Sequence, residues 1–101
     1  MKLPPKPATL RKYGMSAEEW QEMWHNQGEI CPICGRSEAL MVVDHEHVRG
    51  WKKMPPEQRK LYARGIICSW CNMRIVGRGA TAQKLINGAH YLLRYEMRKP
   101  K

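Results

Sequence analysis

The sequence predicts a small α+β domain in which a cluster of cysteines holds short helices and strands together. Two Cys-x-x-Cys pairs are separated by 33 residues, short runs of apolar and β-branched residues lead into or out of that interval, and helical patterns lie on either side. A chain of 101 residues has the length of one domain. A domain of this size buries only a modest core.

The cysteine pairs have the spacing of a structural zinc site. The alternatives are unligated thiols or a pair of disulfides, and disulfides require an oxidising compartment. Residues 1–10 contain three prolines and lack the apolar stretch of a secretory signal peptide, so we expect a reducing, cytoplasmic setting. We therefore predict one structural Zn²⁺, and a domain that unfolds without it. The predicted ligands are Cys31, Cys34, Cys68 and Cys71.

The N-terminal region predicts a flexible basic arm followed by a capped helix. Residues 1–9 are rich in proline and lysine, and the single ordered domain is expected to cover residues 10–101. Residues 16–19 form a capping box, Ser-Ala-Glu-Glu. Apolar residues at 20, 23 and 24 then share one helix face, which predicts a short helix ending near residues 26–28.

A short apolar run leads into a group of polar residues. Residues 39–43 predict a buried strand that ends at Asp44 and His45. Neighbours on a regular strand point to opposite faces, so these two side chains can share a metal and its water only if the strand ends or bulges between them. We expect such an irregularity here. Simple alternation places His47 on the face of His45 and turns Glu46 away.

The second half of the chain predicts a strand between helical segments. A helical turn is expected at 58–63, the second strand at 66–68, a helix at 71–76 and a final helix at about 81–98. The final helix has an apolar side that either packs on the chain's own core or forms a homodimer. That side carries Leu85, Ile86, Leu92 and Leu93.

The chain is strongly basic. Eighteen Lys and Arg against nine Asp and Glu give a net charge of +9, spread along the sequence. Such a field attracts nucleic acid, and the alternatives are a merely soluble basic surface or contact with anionic lipid. No apolar run approaches the roughly 18 residues of a membrane span, so we expect no membrane partner.

Residues between the two cysteine pairs and directly after the second pair suggest a second metal site. Asp44 and Asn72 offer the oxygen ligands that hard cations prefer, and His45 offers a proton acceptor. The alternatives are structural: Asp44 and His45 as a polar pair ending a strand, and Asn72 as a helix cap. His47 has an equally ordinary alternative as a surface residue or a neighbour of the zinc ligands.

Several short segments form a recognisable pattern along the chain. They are Tyr13-Gly14-Met15-Ser16, Gln27-Gly28, Cys31-Pro32-Ile33-Cys34-Gly35, Val43-Asp44-His45-Glu46-His47, Arg64-Gly65-Ile66-Ile67-Cys68 and Cys71-Asn72. Together they resemble the phage recombination endonuclease VII family, within the HNH or His-Me finger nucleases. The resemblance covers roughly residues 10–93 and implies a ββα-metal core with flanking N- and C-terminal helices, forming one HNH endonuclease domain.

The resemblance implies a role for each residue of the second site. Asp44 and Asn72 would hold a catalytic Mg²⁺ or Mn²⁺, His45 would activate water, and His47 would contact the scissile phosphate. It implies cleavage or nicking of duplex, nicked or branched DNA, with Holliday junction resolution and dimerisation as family expectations. If a phage encodes the chain, the setting is the cytoplasm of its bacterial host.

Two other interpretations remain open. One is a non-catalytic zinc-ribbon module that binds DNA; the other is an HNH nuclease of the homing, packaging or restriction type. The sequence also departs from the family pattern in two places. Residues 51–62 form an insertion where members usually have a short turn, and we expect it to contact DNA. Ile75 stands where some members have an acidic residue, so no further carboxylate ligand is expected there.

Overall fold

The computed structural model describes residues 2–98, and it has the small α+β architecture that the sequence predicts. Two antiparallel strands, β1 (Met41–His45) and β2 (Ala63–Cys68), form the sheet of the described region. Five α-helices surround or extend from it. They are α1 (Pro7–Lys12), α2 (Ala17–Asn26), α3 (Pro56–Arg59), α4 (Ser69–Arg74) and α5 (Ala82–Arg98).

Helix α2 begins at the predicted capping box. The Glu19 backbone N–H donates to the Ser16 hydroxyl over 3.1 Å, and the Ser16 N–H donates to the Glu19 carboxylate over 2.9 Å. Trp20 and Trp24 are buried and stack on each other, with ring centroids 5.9 Å apart. The predicted apolar stripe is therefore the face of α2 that belongs to the core.

The predicted arm at residues 1–9 overlaps the first helix, because α1 begins at Pro7, where proline suits a helix start. Upstream of α1, the Lys2 ammonium donates to the carbonyl of Ala39 over 3.1 Å and lies 5.9 Å from the centre of the Trp24 ring. These contacts connect the described part of the arm to the body, whereas Met1 lies outside the described residues. The flexibility of the arm stays a prediction.

The strand pair contains the irregularity that we expected. Asp44 pairs with Gly65 and His45 with Ala63, so Arg64 is left over and the register shifts between Asp44 and His45. The unpaired residue is on β2, so the shift changes the direction of side chains on that strand beside Asp44 and His45. Strand β2 also begins at Ala63 rather than at residue 66, because Ala63 and Gly65 both pair with β1.

The core lies between α2 and the inner face of the sheet. Its fully buried members include Trp20 and Ile66 together with three of the cysteines. The Gln27 side chain completes the edge of β2, because its amide accepts from the Ile66 N–H at 3.1 Å and donates to the Ile66 carbonyl at 2.5 Å. Gln27 thereby fixes β2 against the end of α2.

The insertion at residues 51–62 is folded. It consists of a 3₁₀ turn at Trp51–Lys53, helix α3, and a second 3₁₀ turn at Lys60–Tyr62. It lies against the turn after α1, where a Cβ added to Gly14 would overlap the carbonyl of Pro56. Gly14 also has a φ of +70°, which favours glycine.

Helices α4 and α5 follow β2. Helix α4 starts at Ser69, directly after the strand, and packs against both strands. Helix α5 is capped by Thr81, whose hydroxyl accepts from the Lys84 N–H over 3.1 Å, and it runs without interruption through Asn87 and Gly88. All of its residues are exposed, so its apolar side does not pack on the described core.

Candidate metal and active site

The four cysteines converge on one point. Their Sγ atoms all lie within 4.8 Å of one another, and those of Cys34 and Cys68 are 3.6 Å apart. A tetrahedral zinc ion with Zn–S bonds of about 2.3 Å places its sulfurs about 3.8 Å apart, so the arrangement fits zinc. None of the four is in a disulfide. The cluster could hold one zinc ion that joins the loop between α2 and β1 to the junction of β2 and α4.

Backbone geometry prepares two of these thiols for ionisation. Burial raises the pKa of Cys31, but hydrogen bonds from the backbone around Cys34, Cys68 and Ile33 outweigh it and bring the pKa down to about 6. The backbone N–H of Cys71 donates to Cys68 Sγ over 3.4 Å and lowers the pKa of Cys68. Burial raises the pKa of Cys71. Metal binding releases protons from such a site, because zinc takes the thiolate form.

Asp44 is a buried carboxylate held by one arginine. It is 6% exposed, and the Arg64 guanidinium donates to both of its oxygens, with Nε 2.7 Å from Oδ2 and Nη2 3.0 Å from Oδ1. This hydrogen-bonded pair raises the pKa of Arg64. Each carboxylate oxygen accepts about two hydrogen bonds or ligands, so the fork leaves capacity on both oxygens for a cation.

His45 lies among aromatic rings on the other side of the strand irregularity. Its imidazole stacks on Trp51, with centroids 4.1 Å apart and planes 19° apart, and Tyr13 and His47 lie 5.7 and 4.9 Å away. Burial lowers the pKa of His45, and His47, Lys12 and Arg64 lower it further, whereas Asp44 opposes them. The imidazole is therefore neutral over a wider pH range than an ordinary histidine.

His45 and His47 line one basic cleft of about 400 Å³, although β1 ends at His45 and His47 lies beyond the strand. The basic side chains of the cleft belong to α1, to the insertion and to the turn before α5. Its wall includes Lys12, Lys52, Lys53 and Arg78. A cleft with this charge suits a phosphate backbone. A second groove, of about 310 Å³, contains Asp44 and Arg64 and is bordered by the start of α5.

Asn72 lies in the first turns of α4, half-buried, on a helix that packs against both strands. It does not cap this helix. The N-cap is Cys68, whose sulfur accepts from the Cys71 N–H. The capping alternative for Asn72 is therefore wrong. Of the predicted residues, the structure brings His45 and His47 to one cleft, puts Asp44 in a second groove, and places Asn72 on helix α4.

Three residues of the site were not predicted from the sequence. Arg64 was part of a motif but had no assigned partner, and its pairing with Asp44 depends on strand register. Trp51 and Tyr13 come from separate segments, and no local pattern connects them to His45. An aromatic residue directly after the Gly50 turn, four residues beyond His47, was the one available signal for Trp51.

Within residues 2–98, no helix is both long enough and apolar enough to cross a bilayer.

Comparisons with known proteins agree with the motifs. The family described as recombination endonuclease VII matches residues 7–94. The Gene 59 protein of Mycobacterium phage D29 is 34% identical over 71 residues, and that of Mycobacterium phage L5 is 30% identical over the same length. Each alignment covers 67% of this chain but only 36% or 37% of the relative, so the chain spans about a third of their length. No solved structure matches it.

The family match extends across α1 to α5 and so includes the cysteine cluster, both clefts and the strand irregularity. The chain belongs to the recombination endonuclease VII family.

Proposed function

We propose that the protein is a metal-dependent DNA endonuclease that hydrolyses phosphodiester bonds. The observation that carries this proposal is the set of side chains around the register shift between Asp44 and His45. A buried carboxylate, suited to a hard cation, there precedes a half-buried imidazole that opens on a cleft lined by lysines and an arginine. We interpret β1, β2 and α4 as a ββα-metal core of the HNH type, with the cysteine cluster holding structural zinc.

The catalytic cation in this proposal is Mg²⁺ or Mn²⁺. Asp44 and Asn72 would hold it, since carboxylate and amide oxygens suit both ions. When bound, such a cation neutralises charge that develops on the phosphate and on the leaving oxygen. The Arg64 fork keeps the Asp44 carboxylate oriented before the cation arrives.

The remaining steps belong to side chains of the chain itself. His45, neutral at physiological pH, accepts a proton from the attacking water. His47, beside it, contacts the scissile phosphate. Lys12, Lys52 and Arg78 hold the neighbouring phosphates in the cleft, so affinity for DNA falls as salt rises.

Substrate structure and assembly are further parts of the proposal. We infer that branched DNA, including four-way junctions, is cut in preference to straight duplex, in the bacterial cytoplasm where phage DNA is processed. The apolar side of α5 then joins two copies, because its leucines and Ile86 stay 40–60% exposed and recur at helix-pairing spacing. Light scattering of the purified protein tests this: a dimer that Leu92→Glu converts to monomers is the expected result.

A second candidate function is supported by the ion pair of Asp44 and Arg64. If that pair is purely structural, the protein is a zinc-ribbon module that binds DNA without cutting it. That candidate predicts DNA binding unaffected by Mg²⁺ and an absence of cleavage.

Supercoiled plasmid distinguishes the two candidates. The zinc-loaded protein is incubated with plasmid in EDTA, Mg²⁺ or Mn²⁺, and nicked product is measured. The endonuclease proposal predicts nicking only with a divalent cation. Binding without nicking under every condition supports the module instead. A four-way junction compared with linear duplex of the same arm sequences then tests the preference for branched DNA, with equal rates contradicting it.

A further inference from the structure

Trp51 is the side chain that most closely confines the candidate general base. Its indole stacks on the His45 imidazole at a centroid distance of 4.1 Å, and Tyr13 lies 5.7 Å from both rings. Trp51 is itself buried, with 7% of its surface exposed. The imidazole therefore has an aromatic wall with a fixed position, which limits the rotamers that His45 can adopt.

The wall is held in place by Arg59, at the other end of the insertion. Arg59 donates from Nε to the Trp51 carbonyl at 3.2 Å and from Nη2 to the Lys52 carbonyl at 2.6 Å. Its guanidinium carbon lies 4.9 Å from the centre of the Trp51 ring. A third bond, from Nη1 to the Lys12 carbonyl at 3.2 Å, ties the insertion to the end of α1.

Other contacts dock the insertion on the domain. The Lys60 ammonium pairs with Glu19 of α2. The Glu46 N–H donates to the Tyr62 carbonyl over 2.8 Å, which connects the end of the insertion to the residue that follows His45. Contact with DNA alone would not require these hydrogen bonds or the Lys60–Glu19 ion pair. Together they form a brace between the α1–α2 turn and the end of β1.

We propose that Trp51 is a positioning residue, and that the insertion at 51–62 serves to hold His45 in the orientation required for proton transfer. This inference rests on the proposed endonuclease function. A general base must lie within hydrogen-bond reach of the water it activates, and a misplacement of about 1 Å can cost about 10²-fold in rate. The sequence had suggested only a DNA contact for this segment. The lysines beside Trp51 still line the cleft, while Trp51 faces the imidazole.

The packing can be tested on the wild-type protein without catalysis. In NMR spectra of the zinc-loaded chain without Mg²⁺, the inference predicts nuclear Overhauser effects between the Trp51 indole and His45 ring protons. It also predicts upfield ring-current shifts of the His45 protons, relative to His25, which lies exposed on α2. Absence of both signals overturns the inference whether or not the protein cuts DNA.

Two substitutions of Trp51 then test its effect on rate. Trp51→Phe keeps a flat ring and should leave kcat within a few-fold of wild type. Trp51→Leu keeps apolar volume but removes the planar wall, and should lower kcat about 10- to 100-fold with little change in KM. Leu61→Ala changes an exposed residue of the same insertion and is the matched control. Circular dichroism and zinc content report whether each variant is folded.

The outcomes separate the two claims. Wild-type protein that shows the ring contacts but cuts no DNA contradicts the endonuclease proposal and removes the catalytic role of Trp51 with it. Active wild type with Trp51→Leu folded and equally fast overturns the positioning role alone. If Trp51→Leu does not fold, Arg59→Gln replaces it: a lower kcat with weaker ring-current shifts supports the inference, and unchanged values for both contradict it.

Discussion

Removing zinc should unfold this protein. The predicted change is the loss of the cooperative thermal transition and of most helical circular dichroism when the cysteine cluster is stripped by a strong chelator. The cluster joins residues 31–34 to residues 68–71, so the whole β1, insertion and β2 region lies within the loop that it closes. Three of its cysteines are also core residues, each at most 1% exposed.

The structure sets the expected magnitude. Cross-linking a loop of about 40 residues, the span from Cys31 to Cys71, constrains the unfolded chain by about 4 kcal/mol in the chain-entropy treatment. Structural zinc in small domains binds with about 10–16 kcal/mol at neutral pH, much of which becomes folding free energy. The total stability of domains is about 5–15 kcal/mol. The zinc contribution therefore equals or exceeds the stability available.

Elemental analysis should first show one zinc per chain. Chelation in the presence of a reductant, followed by circular dichroism and tryptophan fluorescence, should then show an unfolded chain that one equivalent of Zn²⁺ refolds. Cys34→Ser should weaken zinc binding and lower the melting temperature, whereas Ser69→Ala, next to a ligand, should not. A zinc-free protein that retains a cooperative melt would refute the reasoning.

Three further predictions concern the catalytic residues and the turn after α1. Asp44→Asn should abolish nicking and also the binding of Mn²⁺, measured by electron paramagnetic resonance. The lost ion pair should lower the free energy of unfolding by only about 1–2 kcal/mol, because Arg64, the partner of Asp44, is half-exposed. Retained Mn²⁺ binding would contradict the assignment. The pKa of His45, measured by NMR without divalent cation, should lie below the ordinary 6.5, because burial and neighbouring cations disfavour the charged ring. The neutral, basic form of the imidazole then persists to lower pH. A titration midpoint above 6.5 would be inconsistent with this prediction. Gly14→Ala should lower the melting temperature by roughly 8 °C or more, because it combines a left-handed φ with an overlap on Pro56, and an unchanged melt would rule out that contact.

Local patterns in the sequence predicted much of this fold. The capping box and the tryptophan spacing define α2, because both depend on residues within two turns of one helix. The irregularity at Asp44 was predicted from the requirement that adjacent side chains serve one site. The cysteine spacing likewise predicted a four-sulfur cluster. In each case the physical constraint acts between near neighbours or between residues of one chemical type.

Long-range pairings were beyond the sequence patterns. The Arg64 fork depends on the register of β1 against β2, and a shift of one residue would turn Arg64 away from Asp44. The stack of Trp51 on His45 depends on how the insertion folds back onto the α1–α2 turn. Helix α4 begins two residues earlier than predicted, because the Cys68 sulfur accepts from the Cys71 N–H and serves as its cap.

The most direct test of the account is the rate at which zinc-loaded protein nicks supercoiled plasmid in Mg²⁺, compared between wild type and His45→Ala. The account predicts nicking by wild type and a loss of about 10²–10⁴-fold in the variant, with zinc content and circular dichroism unchanged. Equal rates for the two proteins, or an inactive wild type in both Mg²⁺ and Mn²⁺, would contradict it.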